Sequence, residues 1–202
     1  MISITQALVG LVASVLVSCV ATRPGTVDDE LARQLANGAT RQEAVAAIEA
    51  SPGSKVTLLL IWAGKPPARV DEHELYVGLA DAFGRLKTKE AIPFLIKNIT
   101  LARWPYVSLA PWLKTSEVIE ETYPAMEALI RIGPDASRAV MRAAQAPMAP
   151  GDRRAAIFVV SHIMDVPEAR TFLSSALSEA DRERYWAEEG LKMLDVGRSP
   201  TR

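Results

Sequence analysis

The stretch from Leu75 to Ile99 constrains this chain more than any other. Leu75, Leu79, Ala82, Phe83 and Leu86 fall at i, i+4, i+7, i+8 and i+11. That spacing lays one apolar stripe along a helix. Asp71, with Glu74 three residues later, supplies a capping arrangement at its start. Lys87-Thr88-Lys89 breaks the stripe, and Thr88 is suited to cap a second helix. Ile92, Leu95, Ile96 and Ile99 then form a second stripe, with Pro93 in the first turn, where a missing N–H costs least. Helices of about 15 and about 10 residues are too short to stand alone in water. Each must bury its stripe against neighbours.

Similar pairs recur downstream. Tyr123 to Ala144 repeats the pattern, with Ala125, Ala128, Leu129 and Ile132 on one helix, a Gly133-Pro134-Asp135-Ala136 turn, and Val140 on the next. Ala155 to Leu177 repeats it more weakly, with Val160 and Met164, then Pro167-Glu168-Ala169 and Leu173. On these motifs, residues 40 to 196 resemble HEAT repeats of the subtype shared with bilin-lyase-like repeat proteins. The resemblance implies an all-α fold, a right-handed α-solenoid of stacked helical hairpins. Its steps are uneven: Leu86 to Ile132 spans 46 residues and Ile132 to Met164 spans 32. The shorter step is near the compact period of a helical hairpin, so the longer one holds an insertion. Such motifs speak for fold and say little of function.

Ahead of the repeats, residues 1–18 carry no charged side chain, and Ala7 to Val20 is nearly continuous apolar sequence. A transmembrane helix needs about 20 such residues. This shorter run suits the apolar region of a secretory signal. It ends in Leu16-Val17-Ser18-Cys19, which resembles the lipobox of bacterial lipoproteins. The resemblance implies cleavage before Cys19 and lipid attachment at Cys19. Val20, rather than Asp, follows the cysteine, which implies an outer-membrane destination in a Gram-negative host. The chain departs from that family in having no Lys or Arg before the apolar run. Cys19 is the single cysteine, so no internal disulfide can form.

The expected organisation is therefore a signal segment over 1–18, a polar tether over 19–28, a repeat domain over 29–196 and a tail over 197–202. Within the domain, Leu31 and Leu35 start a stripe that Asn37-Gly38 is expected to end as a C-cap. Thr40 is expected to cap the next helix, with Ala44, Ala47 and Ile48 facing inward. Val56, Leu59, Leu60 and Trp62 supply a third piece after the Ser51-Pro52-Gly53 turn. Asp152 is suited to cap the helix that carries Ala156, Ile157 and Val160, and Ser178 the terminal helix to Asp195. That last helix has the polar outer face that the end of a solenoid needs.

The insertion, an aromatic loop over 101–116, holds Trp104, Tyr106 and Trp112, three of the chain's eight Trp and Tyr residues, beside Arg103. Two readings stand. The aromatics fold back over the repeat edge, or they form a contact surface for a partner, since Trp, Tyr and Arg concentrate at binding hot spots. If a partner site exists, Arg103, Trp104, Tyr106 and Trp112 are its candidates.

No chemistry stands out. His73 and His162 lie in different repeats without metal-type spacing to other ligands. His73, between Glu72 and Glu74, reads as a solvated residue near a helix start, and His162 as a packed or partly exposed helix residue. There is no Gly-rich phosphate loop and no strained nucleophile turn. No catalytic residue, metal or cofactor is expected. The net charge of −1 argues against a polyanion-binding field, hence against nucleic acid. The expected function is a non-enzymatic, lipid-anchored scaffold or adaptor that binds a protein partner in an extracytoplasmic compartment. The alternative is a cytoplasmic lyase-like or chaperone-like repeat protein acting on another protein, which proven export would nearly eliminate.

Overall fold

A computed structural model of the chain describes residues 24–104, 121–163, 167–176, 187–188 and 191–192. The described residues are all-helical, with no strand among them. The helices are α1 (Pro24–Ala36), α2 (Arg41–Ala50), α3 (Gly53–Gly64), α4 (Glu72–Leu86), α5 (Ile92–Lys97), α6 (Pro124–Ile132), α7 (Pro134–Ala144), α8 (Pro150–His162) and α9 (Pro167–Ala176). A 3₁₀ turn over Lys89–Ala91 leads into α5. No described helix is long and apolar enough to cross a membrane. Cys19 and the leader lie outside the described residues.

The α4–α5 hairpin forms as its stripes require. Leu75, Leu79, Ala82, Phe83, Leu95 and Ile99 are fully buried. The Asp71 side chain accepts the Glu74 N–H at 2.9 Å, an N-cap in the usual sense. α4 ends with Lys87 in the left-handed region at φ 51°, while the Thr88 N–H returns to the Phe83 carbonyl at 3.0 Å. The Thr88 hydroxyl makes no capping bond, contrary to expectation. Its backbone carbonyl instead closes the 3₁₀ turn by accepting from Ala91. Phe94 of α5 meets Tyr76 and Phe83 of α4 edge-on, at centroid distances of 5.1 and 5.8 Å. These contacts lock the two helices together.

Helices pack alternately. α4, α6 and α8 lie side by side, and α5, α7 and α9 form a second row, so each helix touches its hairpin mate and the next helix in its row. α1 and α2 continue the stack against α4, whereas α3 touches it only lightly. α8 is buried on every side from Ala155 to Ser161, more completely than one stripe requires. Ala187, itself fully buried, and Leu191 join the same core from the terminal helix, with Glu188 and Lys192 exposed beside them, while the rest of that expected helix lies outside the described residues.

Two glycines set the spacing around α4. A Cβ on Gly78 would strike the Leu35 carbonyl of α1, with the carbonyl carbon 2.9 Å away. A Cβ on Gly84 would lie 2.9 Å from the Ala128 Cα of α6. Real Cβ atoms do not approach backbone so closely, so both crossings depend on the missing side chain.

Several local expectations change. α1 already begins at Pro24, inside the stretch read as a tether; proline's fixed φ is preset for a first helical turn. Gly38 does not take the left-handed cap conformation. The end of α1 is satisfied by side chains instead: the Thr40 hydroxyl donates to the Gln34 carbonyl at 3.0 Å, and Arg41 Nε to the Leu35 carbonyl at 2.9 Å. Thr40 therefore serves the preceding helix rather than capping its own. Val45 is buried where Ala47 was expected, and Ala47 faces solvent. Asp152 does not cap α8; Ala149 occupies that position, and the Asp152 carboxylate accepts from the Thr100 hydroxyl at 2.7 Å.

Alanine in place of a mid-helix glycine ordinarily adds about 1 kcal/mol of stability through helix propensity. Overpacking a tight contact costs about 1–3 kcal/mol. We expect the second effect to win at both crossings, with Gly78→Ala the worse because the obstacle is backbone. Urea denaturation of each variant measures this, and a raised midpoint for either would contradict the packing.

Candidate functional site

The segment leaving α5 carries two of the four residues expected to meet a partner. Trp104 is 55 % exposed, one of the large hydrophobic residues left in solvent. It lines an open groove of about 530 Å³, whose walls include Arg41 and Gln42 from α2, Glu121 ahead of α6 and Glu127 within α6. Tyr106 and Trp112 lie outside the described residues.

Arg103 is not displayed beside Trp104. Its guanidinium turns inward and makes a two-pronged bond to Asp81 of α4, with Nη1 and Nη2 donating at 2.7 and 2.6 Å. Glu127 of α6 stands 3.6 Å away. The Arg103 N–H also donates to the Thr122 carbonyl at 2.8 Å, which fixes the segment against the lead-in to α6. Burial opposes the Arg103 charge, but hydrogen bonding and attraction to Asp81, with help from Glu127, outweigh it and hold its pKa above the ordinary arginine value. Arg103 thus joins two stacked helices through the insertion that follows α5.

The charges extend from this clamp on both sides. Glu127 also pairs with Arg131 at 2.5 Å, one turn on. Arg85 of α4 donates to Gln42 of α2 at 2.8 Å and lies 3.6 Å from Glu49. A small polar cleft of about 160 Å³ runs between these groups. At the other end of the groove, the buried Arg41 joins α1 to α4, reaching Glu74 Oε2 at 2.5 Å. Sequence reading missed Arg41 and Asp81 altogether. An Arg directly after a Thr, or an Asp on a helix, looks like ordinary solvent-facing charge.

These groups are acids and bases paired with one another. The arrangement ties neighbouring helices to one another. No group of three or more His, Cys, Asp or Glu residues suited to a metal occurs among the described residues. His162 closes α8, with its ring stacked 3.8 Å from Phe158 and Nδ1 2.8 Å from the Phe158 carbonyl. His73 is only partly solvated, and its Nε2 is buried without a hydrogen-bond partner among the described residues. Its partial burial differs from the expected solvated residue.

Tyr123, between the insertion and α6, is 1 % exposed and its hydroxyl has no hydrogen-bond partner among the described residues. Burial raises its pKa above the ordinary tyrosine value and keeps the phenol neutral. No known protein family, characterised protein or solved structure matches the chain.

Two outcomes follow from this geometry. Arg103→Met leaves the Asp81 carboxylate buried and unpaired, and should cost about 2–4 kcal/mol. Arg103→Met with Asp81→Asn should cost less than the sum of the single changes; additive denaturation midpoints would show the clamp to be without weight. Tyr123→Phe deletes an unsatisfied hydroxyl, so stability should hold or rise by about 0.5–1 kcal/mol. A clear loss in urea denaturation would mean that the hydroxyl has a partner.

Proposed function

We propose that the chain is a non-enzymatic helical-repeat adaptor, a right-handed α-solenoid of HEAT-like hairpins. In this reading it is held to a membrane by lipid on Cys19, facing an extracytoplasmic compartment, and binds a protein partner. The observation that carries the reading is the alternate packing of α4, α6 and α8 in one row and α5, α7 and α9 in another. Rows of this kind create long surfaces that no single helix could present, and such surfaces commonly bind other chains.

Trp104 supplies a second line of support. A large aromatic side chain more than half in solvent, on the lining of an open groove, is costly to leave uncovered. It makes a rational anchor for a partner. Arg103 takes a different role from the one first expected, holding the segment that carries Trp104 rather than meeting the partner itself. For the anchor, the support is sequence alone: the apolar leader and the Leu16-to-Cys19 motif. Several acyl chains on one residue would bind a membrane firmly.

Labelling of expressing cells with a palmitate analogue tests the anchor. Wild type should take up the label and fractionate with membranes, and Cys19→Ala should lose both. Absence of label, with the intact chain in the soluble fraction, would overturn the membrane reading. A photoreactive amino acid at position 104 tests the adaptor reading. It should give a discrete cross-linked protein, whereas the same probe at the solvent-facing Ala47 should not.

A further inference from the structure

A second groove lies away from Trp104, between α7 and α9, where two neighbouring helices of one row separate. Its volume is about 740 Å³. Arg138 and Arg142 rise from α7 one turn apart, and Arg153 comes from the start of α8. Between them the floor is apolar, with Met141 7 % exposed and Phe172 of α9 half-buried. The acidic residue in the lining is Glu168. The groove wall therefore carries three positive charges against one negative, in a chain whose net charge is −1.

Arg138 already has a weak partner, Asp135, at 3.7 Å. Arg142 is exposed and has no ion-pair or hydrogen-bond partner among the described residues. It sits in the last turn of α7, where a cation is favoured by the helix dipole without any partner. Dipole stabilisation accounts for one cation there. Arg138 and Arg153 have interactions of their own, so Arg142 is the groove cation left unpaired among the described residues, beside an apolar floor.

We propose that this groove binds an acidic amphipathic segment of the partner protein. This rests on the adaptor reading and names the chemistry of what the adaptor holds. A helix with apolar residues on one face would lay them on Met141 and Phe172, in the mode by which grooves between helices accept an amphipathic helix. Carboxylates on its flanks would meet Arg142 and Arg138, whose planar guanidinium groups suit two-pronged bonds to carboxylate. The open rim suits a chain segment, because a site for a small molecule must enclose most of its ligand.

The test uses the full chain and a fluorescent synthetic peptide of about 15 residues, stapled by a hydrocarbon bridge on its outer face so that it holds helical form. One probe carries Leu on one face and Glu elsewhere; a second replaces every Glu with Lys. Fluorescence polarisation should show the Glu probe binding at least about tenfold tighter than the Lys probe, and weakening as salt is raised. Arg142→Glu should weaken the Glu probe by about tenfold or more and narrow the preference over Lys. Phe172→Leu should weaken both probes, and thermal melts check that each variant remains folded. Equal binding of both probes, or no effect of Arg142→Glu in a folded chain, would overturn the proposal. Uptake of a dansyl fatty acid with no binding of the Glu probe would also overturn it, assigning the groove to an anionic amphiphile. The position-104 cross-link is read separately. A cross-link that survives Arg142→Glu, with no Glu-probe binding, sinks the groove and leaves the adaptor reading standing.

Discussion

The carbonyl of Leu35 is the point on which the described structure turns. It ends α1, touches the bare face of Gly78 on α4, and accepts the Arg41 guanidinium at 2.9 Å. Arg41 continues to Glu74, one turn before Gly78 on the same helix. One carbonyl thus fixes how closely α1 approaches α4, and one buried arginine fixes their register. Six residues later Gly84 allows the same closeness to Ala128 on α6. Because α4 is thinned on both sides, it can lie between two helices at short range. The downstream rows take their spacing from it.

Charge does structural work in the same region. Arg41 and Arg103 are both largely withdrawn from water and both satisfied by carboxylates on α4. Ion pairs in this setting add less net stability than their geometry suggests, since desolvation offsets much of the attraction. Their value lies in specificity: an arginine that must find one carboxylate selects one register between helices. The exposed Lys89–Asp135 pair, at 2.5 Å, is different in kind. The hydrogen bond between them, and then their mutual attraction, raise the Lys89 pKa and lower that of Asp135. With the carboxylate pKa depressed, its contribution is present above the ordinary aspartate value and fades as pH falls through the lowered one. Both groups are open to water, where salt screens such pairs.

The helices were legible in the sequence because periodicity is a property of neighbours along the chain. The stripe from Leu75 to Leu86, the Asp71 cap, the Pro93 start and the Gly133-Pro134 turn all follow from local rules, and the structure contains each of them. What local rules cannot show is which polar residue faces another helix. Asp81 and Glu127 share helices with solvent-facing charges and differ from them only in what lies opposite. The same limit explains Arg103. Beside Trp104 it looked like part of a contact surface, and only the position of α4 reveals the carboxylate waiting for it. The Thr40 and Asp152 caps failed for a related reason: a side chain able to cap its own helix bonds elsewhere, Thr40 to the end of α1 and Asp152 to Thr100 in the turn after α5. The groove between α7 and α9 left one local trace, the spacing of Arg138 and Arg142, which alone is indistinguishable from a solvated face.

If α4 is the hub, its backbone should be the last to open, because opening it requires the helices on both sides to separate. Native-state hydrogen exchange measured helix by helix tests this most directly. The account predicts that the amides of α4 around Gly78 to Phe83 exchange slowest, through global unfolding alone. The amides of α3, which touches the stack lightly, should exchange first. Exchange in α4 as fast as in α3 would contradict the account, and the stack would then have to be held by contacts other than the two glycine crossings and the Arg41 clamp.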